Sequence, residues 1–235
     1  MNAAPSPTAP TGLRLWLLIA VPLLLQFGTL ALGASIVKAL TSEPRRDTTL
    51  TNLPQSVLMV VAYLVFAAAI WLVAKRLGAP LSILALRRVP LRRGLLLGGG
   101  GLLAGLVASA LLEPIFHGSS SQGIEAGTVD SVASAAALAL SAIAIVGGAA
   151  LTEELYFRGL LYGRLDARFG VASAVVGSAG LFGLVHFQPD AFPTLLALGL
   201  ILGLVRMRSS SVWPGVGIHA ANNVIAVVGL LLATK

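Results

Sequence analysis

Seven apolar stretches, at about 13–39, 53–74, 94–112, 131–152, 171–187, 191–205 and 212–233, dominate this sequence of 235 residues. A helix rises 1.5 Å per residue, so about 20 apolar residues cross the hydrocarbon core of a bilayer. In lipid every backbone N–H and C=O must be satisfied within the spanning segment, and a helix does this alone. The sequence therefore predicts an all-α fold: a polytopic transmembrane helical bundle, about seven spans around a polar intramembrane cavity. Only 11% of residues are charged, where a soluble domain carries about 25%. The missing charge is the signature of a surface that faces lipid.

Residues 1–12, rich in Pro, Ser, Thr and Ala, read as a disordered N-terminal leader. Residues 13–128 then hold three spans and residues 129–235 hold four. The first stretch is long for a signal-peptide core and has Arg14 as its only early charge, so it reads as an uncleaved span. The fifth and sixth stretches are short. Gln188-Pro189-Asp190 between them predicts a tight hairpin or a broken helix.

Orientation follows from Lys and Arg. With the N-terminus cytoplasmic, the inner segments hold 12 of the 16 basic residues, from Arg14 and the Lys75–Arg93 group to Arg206 and Arg208. The positive-inside rule therefore favours that arrangement. The net charge of +7 is spent on topology, and nucleic acid is not an expected partner. The lipid bilayer is. The chain has no cysteine, which excludes disulfides, thiolate metal sites and a cysteine nucleophile.

Against this background the polar residues inside apolar runs stand out. An ionised carboxylate at the bilayer centre costs roughly 2.5–3.5 kcal/mol on insertion scales. Glu153 and Glu154 nevertheless lie side by side in Gly147-Gly148-Ala149-Ala150-Leu151-Thr152-Glu153-Glu154-Leu155-Tyr156-Phe157-Arg158. On a helix, Glu154 and Arg158 are four apart and share a face, whereas Glu153 and Arg158 diverge by about 140°. Arg158 is expected to neutralise Glu154, leaving Glu153 free to act as a general base. A purely structural ion pair is the competing reading.

Phe182 and His186 are also four apart and share a face. His219 and Asn223 repeat that spacing, just beyond the breaker Trp213-Pro214-Gly215. Two polar side chains on one face can donate together, as an oxyanion hole requires, or can serve as interhelical hydrogen bonds. Sixteen residues separate Glu153 from Phe169, and sixteen separate Gly170 from His186. A helix reversal at Gly170 therefore brings Glu153 and His186 to one level, about 24 Å from the turn. The expectation is one continuous helix through Glu153 to about Asp166.

Taken in order, Glu-Glu-x-x-x-Arg, Phe-x-x-x-His and His-x-x-x-Asn resemble the motifs of the CAAX protease and bacteriocin-processing (CPBP) family of intramembrane glutamic endopeptidases, which includes the type II CAAX prenyl endopeptidases. The resemblance covers residues 130–228. It implies Glu153 as the carboxylate that activates water, His186 as its assistant, and His219 with Asn223 as the oxyanion hole. Glu154, Arg158 and Phe182 would support them, and Gly159 fits the same pattern. It further implies a metal-independent peptide hydrolase with no cofactor, a peptide or membrane-protein substrate, and a place in a bacterial cell membrane. Zinc held by both histidines and one glutamate is the alternative chemistry, though no His-Glu-x-x-His occurs. A non-catalytic scaffold, immunity protein or transporter is the alternative function.

Overall fold

The computed structural model describes residues 12–41, 48–117 and 124–233. The expected leader thus lies outside the described residues except for Gly12, which opens the first helix. The long elements are α1 (Gly12–Thr41), α2 (Leu53–Arg76), α4 (Leu91–Phe116), α5 (Val132–Phe169), α7 (Phe192–Ser209) and α8 (Trp213–Ala233). Among the described residues these six are long and apolar enough to cross a membrane. Two shorter helices complete the set, α3 (Pro80–Ile83) and α6 (Val171–Leu184).

The count of seven spans needs one correction. The fifth stretch, expected at 171–187, is the 14-residue α6, about 21 Å long and short of the ~30 Å apolar core. The fourth stretch continues past 152, in line with the expected helix through Glu153 to about Asp166. It runs on to Phe169 as one 38-residue helix, carrying Glu153, Glu154 and Arg158 in its middle. A two-residue parallel pairing of β1 (Thr48–Thr49) with β2 (Ile124–Glu125) is a small exception to the all-helical expectation.

Local chemistry sets the element ends. Asn52 caps α2 by accepting the Gln55 amide at 3.1 Å, and Pro54 sits in its first turn. Ser131 and Ser134 form a reciprocal capping box at the start of α5. At its far end Gly170 takes φ +83°, and α6 begins at the next residue. Left-handed backbone of this kind is open to glycine at little cost, and the predicted helix reversal occurs there. Trp213-Pro214-Gly215, expected as a breaker, is instead the first turn of α8. Proline's missing N–H is harmless at that position, and the real break is Ser210 at φ 56°.

Small residues bring the helices together. Gly199 and Gly203 on α7 meet Ala179 and Val175 on α6, and a Cβ at Gly199 would stand 3.0 Å from the Ala179 Cα. A Cβ at Gly159 would stand 3.0 Å from the backbone of Leu84, which explains a glycine directly after Arg158. Buried Ser56 of α2 and Ser141 of α5 hydrogen-bond at 2.8 Å, and Tyr156 donates to the Ile19 carbonyl of α1 at 3.1 Å. The core is aromatic and aliphatic, centred on Phe66, Tyr156, Phe157, Phe182, Leu202 and Ile218. Leu64, Leu95, Leu103, Ile143, Val176 and Leu232 point outward and are more than half exposed, as a lipid-facing wall requires.

Candidate active site

Three helices deliver the polar groups. The α5 helix is regular only in part: Ile143–Ala149 and Leu155–Leu161 are π-helical, and the short α-helical piece Ala150–Glu154 lies between them. A π turn holds one more residue than an α turn and leaves a carbonyl poorly used by its own helix. Each π turn here offers a carbonyl to another helix. Asn223 of α8 donates to the Ile145 carbonyl at 2.8 Å, and Arg206 of α7 donates to the Arg158 carbonyl at 2.9 Å. The two glutamates are thus held in a segment braced at both ends.

Arg158 and Glu154 form the expected pair, with Nη1 and Oε1 3.0 Å apart and both side chains fully buried. The guanidinium also donates to the Gly199 carbonyl at 3.2 Å and lies 4.6 Å from the centre of the Phe182 ring. That ring face attracts the cation of the fully buried side chain. Glu153 points elsewhere, and its side chain retains 13% exposure. The two adjacent carboxylates thus differ in partner and in exposure, as their 100° separation on the helix requires.

His219 stands between the two carboxylates. Its Nδ1 is 3.5 Å from Glu154 Oε1, and its Nε2 is 3.9 Å from Glu153 Oε2. One turn earlier on α8, Gly215 packs directly on Glu154, where a Cβ would meet Oε2 at 2.6 Å. His186 follows the end of α6, and its Nδ1 lies 2.7 Å from the Phe182 carbonyl. A carbonyl can only accept, so Nδ1 carries the proton, and the Nε2 of a neutral ring is left with a lone pair. The Phe182 ring separates the imidazoles, with centroids 4.9 Å from His186 and 5.7 Å from His219.

Glu153, Glu154, Arg158, Phe182, His186, His219 and Asn223 therefore gather in one region; Glu154 and Arg158 pair as expected, while His186 and Asn223 take other partners. His186 joins through Phe182; among the described residues no hydrogen bond or ion pair links it to Glu153. Asn223 already spends one amide N–H on Ile145, leaving the other for a ligand. The expected polar cavity is a nearly closed cluster. Cavities of about 640 Å³ and 400 Å³ flank α8, and neither is lined by Glu153, Glu154, His186 or His219. Among the described residues no group of three or more His, Asp and Glu side chains is arranged to hold a metal ion.

Sequence reasoning missed Tyr63. It comes from α2, its ring packs on Gly148 and its hydroxyl reaches the Glu153 carboxylate. No spacing rule connects a residue to a partner 90 positions away. Gly215 and Arg206 were likewise legible only once the helices had been packed.

Fold and site together define a polytopic membrane protein with a carboxylate–imidazole centre buried among its helices. Residues 134–225 match the family model described as type II CAAX prenyl endopeptidase Rce1-like. The matched stretch is under half of the chain, contains all three motifs and agrees with the CPBP resemblance read from them. The match supports a membrane-embedded peptide hydrolase. No curated relative and no solved structure matches the chain.

Proposed function

We propose that this protein is an intramembrane endopeptidase in which Glu153 activates a water molecule. One observation carries the reading. Of two adjacent glutamates that share the His219 imidazole, one is fully buried and paired with Arg158 at 3.0 Å, while the other keeps an exposed edge and faces the Tyr63 phenol.

Glu153 takes a proton from water as the oxygen attacks the peptide carbonyl carbon. The negative charge that develops on the carbonyl oxygen needs donors placed in advance, each typically contributing about 2.7–4 kcal/mol. The Nε2 side of His219 and the unused N–H of Asn223 are the nearest candidates on α8. As the tetrahedral intermediate collapses, the C–N bond breaks and the departing amine takes the proton held by Glu153. His186, with a lone pair on Nε2, assists this transfer. Glu154 and Arg158 fix the register of α5 and the ring of His219. By the positive-inside count the N-terminus is cytoplasmic, and a bacterial cell membrane is the expected location.

Replacing Glu153 by Gln preserves shape and removes the base. Peptides released from membranes containing wild-type protein are expected to be missing in Glu153→Gln membranes, as read by quantitative mass spectrometry. Identical peptide sets would remove the enzyme reading and favour a scaffold or transporter.

A further inference from the structure

The larger of the two cavities, about 640 Å³, lies between the start of α4 and the start of α8, away from the glutamates. Its walls are apolar: Leu91, Leu95 and Leu102 on one side, Pro214, Gly217 and Ile218 on the other. Gly94 and Gly98 form its floor, and at Gly98 a Cβ would meet nothing within 4 Å. The inner end is closed at Gly101, where a Cβ would stand 2.5 Å from Ile218 Cδ1. From Gly94 to Gly101 the groove runs about 10 Å along α4.

The mouth has the opposite character. Arg88 lines it, and Arg92 follows Leu91 of its wall. Two neighbouring arginines are engaged: Arg87 donates to the Ser82 hydroxyl, and Arg93 to the Arg208 carbonyl. Arg88 and Arg92 are exposed and make no hydrogen bond or ion pair among the described residues. Neither wall offers a counter-charge, since no Asp or Glu occurs between residues 48 and 112 or after Asp190. The first turn of α4 also lacks a side-chain cap, so its free amides and dipole add to the positive field.

We propose that this groove binds an anionic phospholipid, with its phosphate on Arg88 and Arg92 and the upper part of one acyl chain lying over Gly94 and Gly98. An apolar slot about 10 Å long, with the unpaired Arg88 at its mouth and Arg92 next to Leu91 of its wall, matches a charged headgroup attached to a hydrocarbon chain. A soluble anion would leave the apolar slot unfilled. A neutral lipid would leave the arginines unmatched. The bound chain would press on Trp213 and Ile218, whose neighbours Gly215 and His219 contact Glu154, so occupancy is coupled to the placement of α8. The lipid assignment does not depend on the proposed hydrolysis.

The test is native mass spectrometry of the purified full chain, titrated with phosphatidylglycerol or with phosphatidylcholine of the same acyl chains. Wild type is expected to retain phosphatidylglycerol roughly thirtyfold better, the fold-change that corresponds to about 2 kcal/mol for two arginines near the surface. Arg88→Gln with Arg92→Gln should erase that preference. Gly98→Leu should fill the slot and weaken retention with the arginines intact, whereas Gly100→Leu, outside the groove with open space around it, should behave as wild type. Equal retention of the two lipids by wild type, or a preference that survives the double arginine variant, would overturn the proposal. So would displacement of phosphatidylglycerol by a neutral prenylated peptide, which would give the groove to a substrate.

Discussion

Arg158 is fully buried with three kinds of partner: the Glu154 carboxylate, the Gly199 carbonyl and the Phe182 ring. Removing one member of such a pair strands the other charge, which typically costs about 3–5 kcal/mol. Arg158→Ala is therefore expected to lower the Tm sharply and to reduce the amount of folded protein, as measured by a detergent-solubilised thermal shift assay. Tyr63 sits at the other glutamate and should behave differently. Tyr63→Phe keeps the ring against Gly148 and loses only the hydroxyl. The hydroxyl is the part of Tyr63 that faces Glu153, so turnover should fall while the Tm, supported by the retained ring packing, stays near wild type. At this scale the sequence was legible wherever partners lie on one helix. The four-residue spacing gave the Glu154–Arg158 pair, but not Tyr63 or Gly215, which reach the glutamates from other helices.

The most informative element is α5, whose charged middle interrupts the hydropathy without ending the helix. A hydropathy reading stops at 152 because six of the next 16 residues are charged. The helix continues because most of that charge is turned inward or placed at its end. Its two π turns left no mark in the apolar pattern, since their carbonyls are satisfied by Asn223 and Arg206 from distant parts of the chain. The reversal at Gly170 was legible, because glycine between two apolar helices has a backbone role visible in the sequence itself. The α6–α7 hairpin rests on a different device, the small face of Gly199 and Gly203. Gly199→Val would drive side-chain carbon into the Ala179 backbone. A loss of roughly 1–3 kcal/mol is expected from such overpacking, read as a lower Tm. Because Gly199 also supplies a carbonyl to Arg158, activity should fall with it.

At the scale of the whole molecule, large apolar side chains cover much of the exterior, most basic residues lie exposed at helix ends, and one charged pair, Glu154 with Arg158, is fully buried. The six long helices and the two regions of the chain are interlocked: α2 meets α5 through Ser56 and Ser141, and α4 lies against both α7 and α8. This packing carries Tyr63 from outside the family-matched residues to Glu153. The account's central claim is that adjacent glutamates have separate tasks, Glu153 in chemistry and Glu154 in architecture. With a released peptide in hand as substrate, the turnover and Tm of purified Glu153→Gln and Glu154→Gln should be measured side by side. The account predicts that Glu153→Gln loses hydrolysis by about 10²–10⁴-fold, the usual worth of a general base, with its Tm unchanged. Glu154→Gln should lose stability as well as rate. Hydrolysis at the wild-type rate by folded Glu153→Gln protein would contradict the claim outright.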